Sequence, residues 1–296
     1  MKLIRLLIET NLFIALAAIM FMWSGACWLN IPLEKLGFLS LQVFSSTWFV
    51  YQISRWVYFQ KGIYTNSEEW VLLWFQQHPK FNRFTIYLSA LLTIILTFFL
   101  QWTTMIVLLF IGIISVLYTV PVLKPFGIPT RVRDFPYVKI FLIALVWSVT
   151  AVILPATEAH FPFDTRRDIW LLLGAQFLFI FFITLPFDIN DEPHDKIAGT
   201  RTIPVVLGIR GAKILTIIIG FIYALMVLYL FMLENWIHLP ALHLQESTII
   251  GLWFLILLLQ IYTWFRSDTV PKWQIKLVYD GSLMIYFLLM WLPKLR

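Results

Sequence analysis

Nine long apolar runs dominate this chain, at about 6–29, 38–59, 84–100, 103–120, 138–156, 169–186, 213–233, 248–265 and 275–292. About 20 apolar residues cross the hydrocarbon core of a bilayer as a helix. Inside that core every backbone N–H and C=O must be paired within the structure, which leaves the helix as the natural form for such segments. The chain is 60% hydrophobic and 13% charged, with mean hydropathy +0.84; soluble domains carry about 45–50% apolar and about 25% charged residues. The expected fold is all-α: a polytopic membrane bundle of about nine transmembrane helices, with 1–296 as a single integral-membrane domain. One cysteine, Cys27, excludes a disulfide framework. The formal net charge of +6 does not point to nucleic acid, because the basic residues are scattered over the connections between runs.

The basic residues orient the bundle. With the amino terminus inside, the inner segments hold 17 of the 22 lysines and arginines. Only Lys35, Arg166, Arg167, Lys294 and Arg296 fall outside, a strong positive-inside bias. An odd number of spans then places the carboxy terminus outside, as in a multi-pass protein of the bacterial cytoplasmic membrane. Lys2 and Arg5 before an apolar run, with Ser24-Gly25-Ala26-Cys27 after it, loosely resemble a cleaved signal. Ser24 occupies a place where such sites favour a large aliphatic residue, and the run is long enough to span, so it is read as the first helix. Cys27 is then a small buried residue.

Three inner connections are longer than a turn needs: 60–83, 121–137 and 187–212. Asn66 and Glu69 have capping-box spacing, Trp70, Leu73 and Trp74 form an apolar face, and Pro79 is expected to end the run. This pattern predicts an amphipathic helix on the inner membrane surface. His160, His238 and His243, with Glu158 and Glu246, lie in outer connections at spacings that fit no common metal-ligand pattern.

The third connection carries the chemistry. Asp188, Asp191 and Asp195 follow directly on an apolar run at offsets of three and four, which places them along one helical stripe. Ionised carboxylates at the end of a span are costly unless water, a cation or a metal compensates them. Lys196 and Arg201 stand beside them, and Gly199 and Pro204 are expected to break the helix. Acids flanked by bases at a membrane surface suit Mg²⁺ bridging to phosphate oxygens, with the bases on the remaining oxygens. The alternative for the same residues is a solvated connection whose charges pair with one another.

The stretch Asp188-x-x-Asp191-x-x-x-Asp195-Lys-x-x-Gly199-x-Arg-Thr202-Ile-Pro204-x-x-x-Gly208 resembles the second aspartate-rich motif of the UbiA superfamily of intramembrane prenyltransferases. Tyr118-Thr-Val-Pro121, with Lys124 following, resembles that family's tyrosine–proline–basic segment. The resemblance implies a helical bundle around a lipid-accessible central cavity. It implies transfer of an isoprenoid chain from an allylic prenyl diphosphate to a hydrophobic acceptor, aromatic or lipid, with Mg²⁺ held by Asp188, Asp191 and Asp195. It also implies diphosphate contacts from Lys139, Lys196, Arg201 and Lys124, while Tyr51 and Tyr118 are candidates for the cavity wall.

One departure accompanies the match. The family's first motif, Asn-x-x-x-Asp-x-x-x-Asp, belongs at the inner end of the second helix. Here Gln52 takes the asparagine position, and Trp56 and Gln60 take the aspartate positions. Arg55, in the same stretch, is a candidate partner for Asp188 or Asp191 or a direct ligand of the diphosphate; snorkelling to headgroups is its ordinary role. A non-catalytic prenyl-lipid-binding or scaffold relative is the second reading, and a transporter the third. The transporter lacks support because no paired half-helices broken by Gly or Pro lie at mid-membrane depth. A reporter in the 187–212 connection is expected to read as cytoplasmic and one at the carboxy terminus as external; the opposite pattern in a fusion or cysteine-labelling assay would refute this orientation.

Overall fold

The computed structural model describes residues 2–60, 74, 76–120, 132, 135, 137–163, 168–197, 199–237, 245–268 and 270–295. The surface helix expected at 66–79 falls largely outside the described residues, as do Lys124, His238 and His243. Among the described residues ten α-helices are delimited in order: α1 (Lys2–Glu9), α2 (Leu12–Trp28), α3 (Gly37–Gln60), α4 (Pro79–Thr97), α5 (Trp102–Thr119), α6 (Val138–Glu158), α7 (Asp168–Ile197), α8 (Ile203–Ile237), α9 (Glu246–Arg266) and α10 (Lys272–Trp291). Helices α2 to α10 coincide with the nine apolar runs. Six of them, α5 to α10, are long and apolar enough to cross a membrane, and the bent pair α1–α2 makes a seventh. Helices α3 and α4 are more polar because they satisfy each other: Gln42 Nε2 donates to Thr97 Oγ1 at 3.0 Å, Thr93 Oγ1 to Ser45 Oγ at 3.2 Å, and Gln52 Nε2 to Thr85 Oγ1 at 3.1 Å.

Helices α2 and α7 occupy the middle. The first packs on α3, α6 and α10; the second packs on α6, α8 and α10. Small residues allow the close approach of α2 and α6. A Cβ built on Gly25 would lie 1.7 Å from the carbonyl oxygen of Ala151, so only glycine fits there. A buried polar hub ties four helices: Trp28 Nε1 and Gln176 Nε2 donate to the Tyr286 hydroxyl at 3.0 and 2.9 Å, and Tyr223 OH lies 2.9 Å from it. All four side chains are buried. In a hydrocarbon setting such groups need one another.

One expectation changes. The first run is not one straight span. It breaks at Thr10–Asn11, where α1 turns 84° from α2. Asn11 takes a left-handed backbone (φ 60°), which asparagine tolerates better than most residues. Helix α3 braces the elbow: Trp48 Nε1 donates to Thr10 O at 2.9 Å, Gln52 Nε2 to the same carbonyl at 3.3 Å, and Asn11 Nδ2 to Gln52 Oε1 at 3.3 Å. Hydropathy is continuous across this bend, which is why the run reads as one helix. Pro79 marks the expected boundary: Trp74, Gln76 and Gln77 are helical, His78 is not, and Pro79 opens α4 in its first turn, where its missing N–H has no intrahelical partner to lose.

A cavity of about 720 Å³ lies between α3, α4, α5 and α6. Tyr51 and Tyr118 line it, with Val43, Gly112, Ile143 and Trp147 among the apolar wall. Helices α4 and α5 follow one another closely in sequence, yet α4 packs on α3 and α5 packs on α6 and α3. Replacing Gly25 by alanine is expected to cost about 1–3 kcal/mol or more by forcing α2 from α6. A thermal unfolding midpoint equal to that of the wild type would contradict this packing.

Candidate diphosphate site

Helix α7 continues about three turns beyond its apolar run, through Pro186 and Pro193, and carries all three aspartates on helical backbone. Its end is a Schellman cap: Thr200 N–H donates to Asp195 O at 2.8 Å and Gly199 N–H to Lys196 O at 3.2 Å. Gly199 has φ +71°, a conformation that disfavours side chains. Thr202 and Pro204 then begin α8, which kinks at Gly208 (φ 73°). The residues that define the sequence motif are therefore those that end one helix and start the next. This turn also reaches α6, since Tyr137 N–H donates to Arg201 O at 3.3 Å.

Three helices bring charges together here. Lys139 Nζ of α6 is 2.5 Å from Asp188 Oδ1 and 4.0 Å from Asp191 Oδ2. Lys272 Nζ, at the start of α10, is 2.8 Å from Asp191 Oδ1. The side chains are 12% exposed at Lys139, 2% at Asp188, 18% at Asp191 and 14% at Lys272. With so little water near, the pairs compensate charges that neither partner tolerates alone. Asn190 Nδ2 donates to the carbonyls of Ser267 and Val270, both at 3.1 Å, and so fastens the α9–α10 connection to α7.

Among the residues predicted from sequence, Asp188, Asp191 and Lys139 meet. Asp195, one turn further along α7, turns its carboxylate toward the Thr202 hydroxyl and lies within electrostatic reach of Lys139, Asp188 and Asp191. Lys196 and Arg201 are exposed. The contacts placed for Arg55 are with α1: Nη2 donates to Ile8 O at 2.9 Å and Nη1 to Glu9 O. A cation at these carbonyls satisfies acceptors that a helix end leaves open. Lys272 and Asn190 escaped sequence reasoning. The first reads only as one more inner base, and the second only as a spacer within the aspartate stripe.

Among the described residues, no set of three carboxylate, imidazole or thiol side chains converges as a complete metal site. Mg²⁺ does not need one: it keeps several waters and takes one or two carboxylates together with substrate phosphates. The hard carboxylate oxygens of Asp188, Asp191 and Asp195 fit that demand. The cavity's α6 wall begins at Leu142, close to one turn beyond Lys139, so the charged cluster and the apolar space sit at successive levels of the same helix.

Residues 78–287 match the UbiA prenyltransferase family. The chain belongs to the UbiA family. The bundle is also that of solved UbiA homologues. One from Archaeoglobus fulgidus, bound to Cd²⁺, has 15% identity and TM-score 0.61 over 95% of this chain and 98% of its own. The same organism's homologue bound to GPP and Mg²⁺ has 14% identity and TM-score 0.60 over 95% and 98%. The apo homologue from Aeropyrum pernix K1 has 13% identity and TM-score 0.64 over 95% and 96%. No curated protein matches the sequence. The shared fold and the six or more long apolar helices make this UbiA-family chain an integral multi-pass membrane protein.

Lys139→Met leaves the Asp188 carboxylate buried and uncompensated, and is expected to cost about 3–5 kcal/mol of stability. Adding Asp188→Asn should recover most of that loss. Chemical unfolding of the two single variants and the double variant measures it, and additive losses would exclude the pairing.

Proposed function

We propose that this UbiA-family protein transfers an isoprenoid chain from an allylic prenyl diphosphate to a hydrophobic acceptor, aromatic or lipid, within the membrane. The observation that carries the reading is the buried cluster of aspartates and lysines joining α6, α7 and α10 at one end of the bundle, where the next turns of α6 wall an apolar cavity. In A. fulgidus the homologue binds GPP with Mg²⁺, and also DMAPP with Mg²⁺. In this chain Asp188, Asp191 and Asp195 would hold Mg²⁺, which when bound neutralises charge on the departing diphosphate. Lys139 would contact its oxygens, and Lys196, Arg201, Lys124 and Arg55 are the further basic candidates offered by the sequence. The allylic C–O bond breaks with its electron pair leaving on the diphosphate. The acceptor supplies the pair for the new bond to carbon and then loses a proton. Fixed charges already aimed at the leaving group need no rearrangement as that charge develops. Tyr51 and Tyr118 present rings to the cavity, where an allylic cation favours an aromatic face. The proposed orientation has the amino terminus and this site at the cytoplasmic face and the carboxy terminus outside.

A second reading has a specific observation behind it. The α3 face where the family's first motif belongs braces the α1–α2 elbow through Trp48, Gln52 and Arg55. A prenyl-lipid-binding relative without turnover fits that commitment. Purified protein given labelled prenyl diphosphates, Mg²⁺ and a panel of aromatic and lipid acceptors separates the two. Transfer is expected from the wild type, with a loss of at least a hundredfold in Asp191→Ala. Absence of product from both, with prenyl diphosphate still bound, selects the non-catalytic reading.

A further inference from the structure

Lys272 reaches the aspartates from 81 residues along the chain, and its position is secured. It is the first residue of α10, after Pro271, so the positive end of a 20-residue helix lies beside it. The two Asn190 hydrogen bonds hold the connection leading into α10 against α7. Its ammonium and that of Lys139 each face a carboxylate of the motif. Both carboxylates that would meet a divalent cation are therefore already matched with lysines.

This arrangement makes single ligands unwelcome. A divalent cation arriving alone at Asp188 and Asp191 displaces two ammonium groups or lies beside them, and like charges repel at low dielectric. A diphosphate arriving alone must draw the ammonium groups from their carboxylates while adding negative charge next to them. When the two arrive together, the cation takes the carboxylates and the lysines take the phosphate oxygens. Every buried charge then has an opposite partner again.

We propose that Lys272 is a diphosphate-binding residue of this site, held by Asp191 until a divalent cation takes that carboxylate, so that metal and diphosphate bind as a mutually dependent pair. The proposal rests on the reading that the cluster binds a diphosphate, but it requires no turnover. Lys139 makes the equivalent exchange at Asp188. The linkage is reciprocal: whatever factor the cation adds to diphosphate affinity, the diphosphate adds to cation affinity.

Equilibrium binding of inorganic pyrophosphate to the purified full-length protein, in chelator and in saturating Mg²⁺, tests this. The wild type is expected to bind weakly in chelator and about tenfold or more tightly with Mg²⁺. Asp191→Asn keeps the shape of the side chain and removes its charge, which releases Lys272. Its metal-free pyrophosphate binding is expected to tighten by about tenfold, while the enhancement by Mg²⁺ shrinks. Adding Lys272→Gln to that variant should abolish the gain, and Lys272→Arg should retain it. Thermal unfolding of each variant checks that it is folded. A metal-free affinity of Asp191→Asn equal to or below that of the wild type overturns the proposal, as does a gain that survives Lys272→Gln. If Mg²⁺-assisted binding persists in either case, the diphosphate reading stands and only the role of Lys272 falls. If no form binds pyrophosphate under any condition, both fall.

Discussion

The need to compensate charge where water is scarce organises one end of this molecule. Asp188 is almost fully enclosed and lies against Lys139, and Asp191 lies against Lys272. These pairs join α6, α7 and α10 through residues 49 and 81 positions apart in the chain. Removing Lys139 would leave the enclosed Asp188 carboxylate without that cation, a penalty far larger than the net worth of the pair. The three helices are therefore committed to a common level at this end. Packing elsewhere, through Gly25 against Ala151 and the hub around Tyr286, keeps the rest of the bundle in register with it.

The lysines also change what the aspartate stripe means. Three acids alone would suggest a vacant cation cage. Acids already matched with ammonium groups describe instead a charge-compensated cluster. Such a site uses fewer carboxylates than a two-motif arrangement. That agrees with the absence of acidic residues at Trp56 and Gln60 of α3. The same stretch of α3 does a structural job, holding the bend between α1 and α2 through Trp48, Gln52 and Arg55.

Much of this was readable from residues, for physical reasons. Apolar runs of about 20 residues announce helices, because a continuous run of that length matches one helical crossing and satisfies its own backbone groups in hydrocarbon. The aspartates were visible as a group because offsets of three and four keep them on one helix face. Gly199 and Pro204 marked the break they make. What remained hidden depends on contacts between distant segments. Nothing local to Lys272 distinguishes it from a topology-setting base, and Asn190 acquires its role only when the α9–α10 connection folds over it. The bend at Asn11 was hidden because its cause lies in α3, about 40 residues away. Arg55 drew notice as a charge in an apolar helix, and its contacts with the α1 carbonyls depend on that same unforeseen bend.

The cavity is bordered on one side by α4 and α5, both of which rest on α3. Leu91, Ile94, Phe98, Ile106 and Leu109 of these two helices turn apolar surface outward. In a bilayer that surface meets hydrocarbon, so this side of the chamber is the one on which the thickness of the surrounding membrane bears most directly.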